Sequence, residues 1–211
     1  MNEENISVVI FDLDGTLLDT SRGIYGSVRF VERQMRLEPI SMDKLREFIG
    51  PPPMEMYRRI YGLDTEAALK ATKLHREYGL NHAIFEADIY NGIPEVISSI
   101  RNRGFLTAVA TLKKQEIAEK MLENFRLTIL FDKIVGMDDD ESLTKEDIIK
   151  DVIVNTKADK AIMVGDSSYD YEGAVRSGID FIGVSYGFGF SDNIKYPFLI
   201  ARKPEEIMCL I

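Results

Sequence analysis

A single cysteine, Cys209, and two histidines, His75 and His82, are the only thiol and imidazole groups in this 211-residue chain. One thiol closes no internal disulfide and builds no cysteine metal cluster, which fits a reducing compartment, and two imidazoles argue against a histidine-rich metal site. Long apolar runs are missing as well. The run Val8 to Phe11 is far too short to cross a bilayer, and the opening Met-Asn-Glu-Glu-Asn has neither the basic end nor the apolar core of a signal peptide. The expected location is therefore the cytoplasm. Basic residues are too few for general attraction to nucleic acid or anionic membranes: 26 Lys and Arg face 35 Asp and Glu, a net charge of −9. Several chemical signatures are absent: the Gly-x-Ser-x-Gly elbow, the Gly-xxxx-Gly-Lys-Ser/Thr phosphate loop, and internal repeats. Gly187-Phe188-Gly189 lacks the third glycine of a nucleotide fingerprint. Asp138-Asp139-Asp140-Glu141 lacks the glycine and spaced ligands of a calcium loop, so it reads as an acidic surface loop.

What is present is an alternation of apolar runs and helical periods. Strand-like runs with little polar alternation occur at 6–11, 105–110, 161–164 and 181–184, with a shorter one at 133–135. Such runs suit a parallel sheet covered on both faces. Helical stretches separate them, at 94–102, 115–124, 145–155 and 170–177, and Pro94 sits where a first helical turn tolerates it. A doubly wound α/β core follows. Between the first strand and the rest, apolar residues recur at helical spacing over 19–37 and 64–82, with no convincing strand. Residues 18–87 thus read as an inserted helical cap domain on a core formed by 1–17 and 88–211. The segment carries eleven basic against ten acidic residues while the remainder holds a balance of −10, so the acid is concentrated outside it.

The first strand ends in two carboxylates, Asp12 and Asp14. Residues two apart on an extended chain project to the same side, so the two acids converge on one small space. Like charges that close need a metal or different protonation states. In open parallel sheets, function gathers at the carboxyl ends of the strands. Those ends supply Asp12 and Asp14, then Thr111 with Leu112, Lys113 and Lys114, then Gly165-Asp166-Ser-Ser-Tyr-Asp170, while Lys145 opens a helix between them. Several acids, a hydroxyl and a lysine at one sheet edge make a poor folding device and a good metal and phosphate site. Lys113 and Lys114 themselves read as solvated helix starters.

Asp12-Leu13-Asp14-Gly15-Thr16, Thr111, Lys145 and Gly165-Asp166-xxx-Asp170, in that order and spacing, resemble the haloacid dehalogenase superfamily, in particular its magnesium-dependent phosphatases with a helical cap. The resemblance implies a Rossmann-like core and a phosphoric monoester hydrolase acting through an aspartyl phosphate. It implies Asp12 as nucleophile and Asp14 as general acid and base. It further implies Mg²⁺ held by Asp12, the backbone carbonyl of Asp14 and Asp166, with Asp170 orienting metal-bound water or Lys145. Thr111, the Leu112 N–H and Lys145 would then stabilise the transferring phosphoryl oxygens.

Phe48-Ile-Gly-Pro-Pro-Pro53, Tyr90-Asn-Gly-Ile-Pro94 and Gly183-Val-Ser-Tyr-Gly-Phe-Gly189 resemble the phosphoglycolate phosphatase-like branch, which implies a small phosphorylated metabolite as partner. Arg22, Arg46 and Arg58 are candidates to grip a substrate carboxylate. The 48–53 stretch fits either a stiff loop over the site or a plain connector. Two rivals stand beside the phosphatase: a phosphomutase of the beta-phosphoglucomutase type, and a phospho-accepting signalling domain, which would be about half this length. The expected assembly is a monomer or homodimer.

Overall fold

The computed structural model describes residues 7–140 and 142–211, so Ile6 of the predicted first strand and Glu141 of the acidic loop lie outside the described residues. The first strand, β1, runs Ser7–Phe11, and after a short strand β2 at Leu18–Asp19 the chain leaves the sheet for four helices. These are α1 (Ser21–Met35), α2 (Met42–Arg46), α3 (Pro53–Tyr61) and α4 (Thr65–Asn81). Strand β3 at Asp88–Ile89 then returns antiparallel to β2, closing the excursion with a two-residue ladder.

The remaining chain is a regular α/β alternation. Helix α5 (Ile93–Asn102) leads to β4 (Leu106–Lys114), α6 (Gln115–Asn124) to β5 (Lys133–Met137), and α7 (Lys145–Thr156) to β6 (Lys160–Gly165). Helix α8 (Ser168–Ser177) leads to β7 (Asp180–Val184), and β8 (Leu199–Ala201) forms the edge. The six long-range strands pair parallel in the order β5-β4-β1-β6-β7-β8. From β1 the chain builds outward to β4 and β5, then crosses to the other side for β6. The strand order therefore reverses at β1, the position where such sheets open a crevice. Register places Phe11 opposite both Val109 and Val164, so the ends of β1, β4 and β6 lie level.

Strand alternation assigns the two faces. Val9, Phe11, Val109, Val164 and Ile182 point to one side, under Ile97 and Ile100 of α5 and Met121 and Leu122 of α6. Val8, Ile10, Ala108, Ala110 and Met163 point to the other, under Ile148, Ile149 and Val152 of α7 and Ala174 of α8. Burial on both faces is why these strands read as unbroken apolar runs. Helices α1 to α4 form a third apolar cluster of their own around Val28, Leu45, Met56, Tyr57 and Ala71. Within it Glu32 is buried yet satisfied, accepting from Arg29 (2.7 Å), the Tyr61 hydroxyl (2.8 Å) and the Ile40 N–H (2.9 Å).

Some elements differ from the sequence expectation. Helices α2 and α3 have five and nine residues, too few for a helical period to stand out, and α3 is entered through prolines. Strand β4 does not stop at 110 but continues to Lys114, with a register shift between Ala110 and Lys114 where it pairs with β5. Lys113 and Lys114 are consequently strand residues, not helix starters. Among the described residues no helix is long and apolar enough to cross a membrane.

Candidate active site

The level strand ends bring the predicted acids together. Asp12, Asp14, Asp166 and Asp170 are all buried, as are Thr111 and Lys145. Carboxylate oxygens of Asp12, Asp166 and Asp170 lie within 4.8 Å of one another. Lys145 bridges two of them: its Nζ is 2.6 Å from Asp12 Oδ1 and 2.6 Å from Asp170 Oδ1. A lysine at the first residue of a helix opposes the helix dipole, so these carboxylates outweigh an unfavourable local placement. Thr144 and Asp147 form a capping box that starts α7 at this point.

Asp170 serves two purposes. It is the third residue of α8, and its Oδ2 accepts from the Ser167 N–H (3.0 Å) and hydroxyl (2.7 Å), completing a second capping box. Its other oxygen holds Lys145. Helix cap and site residue are one side chain, which explains how a buried carboxylate without solvent stays satisfied.

Asp14 has partners that the sequence did not announce. Its Oδ1 accepts from the Thr20 hydroxyl at 2.5 Å and pairs with Lys113 Nζ at 3.1 Å. Lys113 is largely buried, and its N–H donates to Thr111 Oγ1 at 3.1 Å. The period-two rule that pairs Asp12 with Asp14 also pairs Thr111 with Lys113, and would have found it had β4 been drawn to its full length. Lys114 pairs with Asp139 at 2.8 Å instead.

Asp166 is held differently. Its Oδ2 accepts from the Phe188 N–H at 2.7 Å, and among the described residues no ion pair involves it. Glycine makes this approach possible. Gly15 has φ +81°, and a Cβ there would stand 2.3 Å from Asp166 Oδ2, while one on Gly187 would stand 2.3 Å from the Gly15 carbonyl. Gly15→Ala is therefore expected to destabilise the protein by about 1–3 kcal/mol through strain and overlap. A lowered urea midpoint reads this out, and an unchanged midpoint would refute the close packing.

Electrostatics follow from burial. From the protein groups alone, burial pushes Asp12 up to about 7, with Lys145 opposing and Asp170 and Asp14 adding to the rise. Burial also drives Asp166 well above the carboxylate range, reinforced by Asp170 and Asp12 and opposed by the Phe188 N–H. Burial alone would lower Lys145, but the carboxylates of Asp12 and Asp170 outweigh it and raise the ammonium. Four buried carboxylates against the buried Lys145 and the part-exposed Lys113 leave, with every group ionised, a formal charge of two negatives. Oxygen donors with that deficit fit a hard divalent cation, and Asp166, without a cationic partner, is where it is needed most.

A cavity opens beside Asp14 between the sheet edge and the α1–α4 unit. Leu112 and Lys113 line it from below, and Ile24, Phe48 and His75 from above. Gly50, Pro51 and Pro53 also line it, so the 48–53 stretch reaches this cavity as well as connecting helices. His75 accepts from, or donates to, the Tyr57 hydroxyl at 3.0 Å, and burial pushes its imidazole down to about 3, keeping it neutral. The three arginines singled out above are not there. Arg22 pairs with Asp88 at the surface, Arg58 is exposed on α3, and Arg46 is exposed beside a neighbouring groove. Arg76 of α4 lines the cavity instead, because its helix face, unlike theirs, turns toward the sheet edge.

The family model for haloacid dehalogenase-like hydrolases matches residues 9–184. A 5'-nucleotidase from Pseudomonas aeruginosa is 34% identical over 89% of this chain and 86% of its own length. A phosphoglycolate phosphatase from Aquifex aeolicus is 25% identical over 97% of this chain and 96% of its own. The crystal structure of a predicted phosphatase from Clostridium acetobutylicum superposes with a TM-score of 0.89 at 34% identity, covering 98% of both chains. Relatives named pyrophosphatase and tyrosine-protein kinase align as well, so the names span several kinds of phosphoryl chemistry. With its match to the family model, its fold and its strand-end carboxylates, the chain belongs to the haloacid dehalogenase-like hydrolase family.

Proposed function

We propose that this phosphoric monoester hydrolase removes the phosphoryl group from a small phosphomonoester of the phosphoglycolate type, using Mg²⁺ and an aspartyl-phosphate intermediate. The observation that carries the reading is the buried carboxylate cluster with its uncompensated negative charge, set beside a cavity that opens at Asp14. Asp12 attacks phosphorus, and its carboxylate is aimed by Lys145 at 2.6 Å. Asp14, held at Oδ1 by Thr20 and Lys113, faces the cavity; it enters the step protonated, gives that proton to the departing oxygen and regains one from the attacking water. Thr111, the Leu112 N–H and Lys145 receive the phosphoryl oxygens. Asp12, the carbonyl of Asp14 and Asp166 would hold Mg²⁺, which would supply positive charge to screen a carboxylate from a phosphate dianion. Asp170 keeps Lys145 in position.

Residues 18–87 act as the cap and residues 1–17 and 88–211 as the catalytic core. The cavity that opens at Asp14 beneath Ile24, Phe48 and His75 receives the leaving group. Lys113, Lys114 and Arg76 in its lining favour one that carries negative charge.

Release of inorganic phosphate from phosphoglycolate, sugar phosphates, nucleoside 5'-monophosphates and pyrophosphate tests this directly. Turnover is expected with Mg²⁺, to vanish with excess chelator and to return on adding Mg²⁺, with phosphoglycolate among the better substrates. Chelator-resistant turnover overturns the metal assignment, and a clear preference for nucleotides overturns the substrate class. Movement of phosphate within a sugar phosphate without release would mark a mutase.

A further inference from the structure

We infer that Phe188 is a positioning residue that ties the α1–α4 unit to Asp166, so that packing of the cap on the core sets the affinity of the cation site. The inference rests on the reading above that Asp166 is a metal ligand. Phe188 belongs to the loop after β7, yet its ring packs against the apolar cluster of α1–α4. The same ring lies over the catalytic loop, since a Cβ on Gly15 would come within 2.8 Å of Phe188 Cδ2. Its backbone N–H meanwhile donates to Asp166 Oδ2 at 2.7 Å. One residue thus touches the cap with its ring and the metal-side carboxylate with its main chain.

The neighbours of Phe188 make this link sensitive. Gly187 and Gly189 flank it, and neither has a side chain to anchor the turn. Both are pressed against Asp166: a Cβ on Gly187 would lie 2.5 Å from Asp166 Oδ2, and one on Gly189 would lie 2.4 Å from the Asp166 carbonyl. The Phe188 ring is therefore the only side-chain anchor within 187–189, and it is seated between the cap cluster and Gly15. Ile49, a buried member of the cap cluster, lines the same groove as Phe188 and Asp166. When the ring is seated, the N–H fixes one carboxylate oxygen, and the other would be left to hold the cation. When it is not, the turn shifts, the carboxylate loses its orienting hydrogen bond, and the cation binds a less ordered ligand. Hydrogen-bonded partners behind a metal ligand commonly govern affinity in this way, but here the partner is itself held from the cap.

Calorimetric titration of the full chain with Mg²⁺ alone, without substrate, tests the link. Phe188→Ala is expected to weaken Mg²⁺ binding by roughly tenfold, as for loss of an orienting partner. Ile49→Ala, which removes cap atoms and leaves the core intact, is expected to weaken it by a similar factor. The double variant should be little weaker than either single one, because both act through the seating of one ring. Phe188→Leu, which refills the cap cluster, should recover most of the affinity, whereas a variant that merely loosens the fold would show no such rescue. Circular dichroism at the titration temperature shows that each variant is folded. Unchanged Mg²⁺ affinity in Ile49→Ala overturns the link, and so does strict additivity in the double variant. Asp166→Asn separates the two readings: if it binds Mg²⁺ as tightly as the wild type, the metal assignment fails, irrespective of Phe188.

Discussion

Asp12→Asn is expected to lower the rate of phosphate release by more than about 10⁴-fold, the scale seen when a covalent nucleophile is removed. An amide keeps the shape of the side chain but offers no anionic oxygen to phosphorus, and the neighbouring acids do not substitute for it. Asp14 is engaged by Thr20 and Lys113, and Asp170 by Ser167 and Lys145. The same substitution is expected to leave stability unchanged or raise it. Burial holds the Asp12 carboxyl at about 7, so its ionised form is one of the strained charges of the site, and removing such a charge can stabilise a fold. Phosphate release and thermal melting in chelator read out both halves. Residual turnover above about 0.01% of the wild type would reject Asp12 as the nucleophile on the scale just given, and a markedly lower melting temperature would reject the strained-charge account.

Lys145→Met is expected to damage both stability and activity. The ammonium is the shared partner of two buried carboxylates, each 2.6 Å away, and methionine fills the volume without the charge. Breaking a buried pair by removing one partner costs about 3–5 kcal/mol, because the remaining charges stay buried. For a chain of this size that corresponds to a fall in melting temperature of roughly 6–20 °C. Turnover should fall by about 10²–10³, the loss expected for one preorganised group that stabilises the transition state. Gly173 makes room for the lysine stem, since a Cβ there would meet Lys145 Cγ at 2.7 Å. The long side chain thus reaches the sheet edge in a defined path. Urea unfolding of the variant checks the first figure, and a loss below about 1 kcal/mol would show that the two carboxylates are relieved in some other way.

Much of the architecture was legible because its signals are local. Apolar runs without alternation announced strands covered on both faces, and five of them lie in the parallel sheet. The acids at their ends were legible for the same reason: once the sheet is parallel, its carboxyl ends share one edge, and Asp12, Asp14, Asp166 and Asp170 are carried there together. The edge strand β8 was not legible, since three residues make no pattern, nor were the short helices α2 and α3.

Contacts between distant segments escaped the reading. Lys113 was taken from the site by ending its strand too soon, and Thr20 gives no sign in the sequence that its hydroxyl meets Asp14. Arg22 and Arg58 lie away from the cavity, Arg46 lines the neighbouring groove that Asp166 shares, and Arg76 reached the cavity from a helix whose facing depends on how four helices pack. The sequence by itself determined the parallel α/β core, the inserted helical segment and the strand-end acids, because hydrophobic periodicity and side-chain alternation are properties of neighbouring residues. Only the tertiary structure decided which cations meet those acids, which loop lines the cavity and how the Phe188 N–H reaches Asp166. Those choices depend on burial and on the relative placement of segments up to 133 residues apart, as for Lys145 and Asp12, and no local pattern records them.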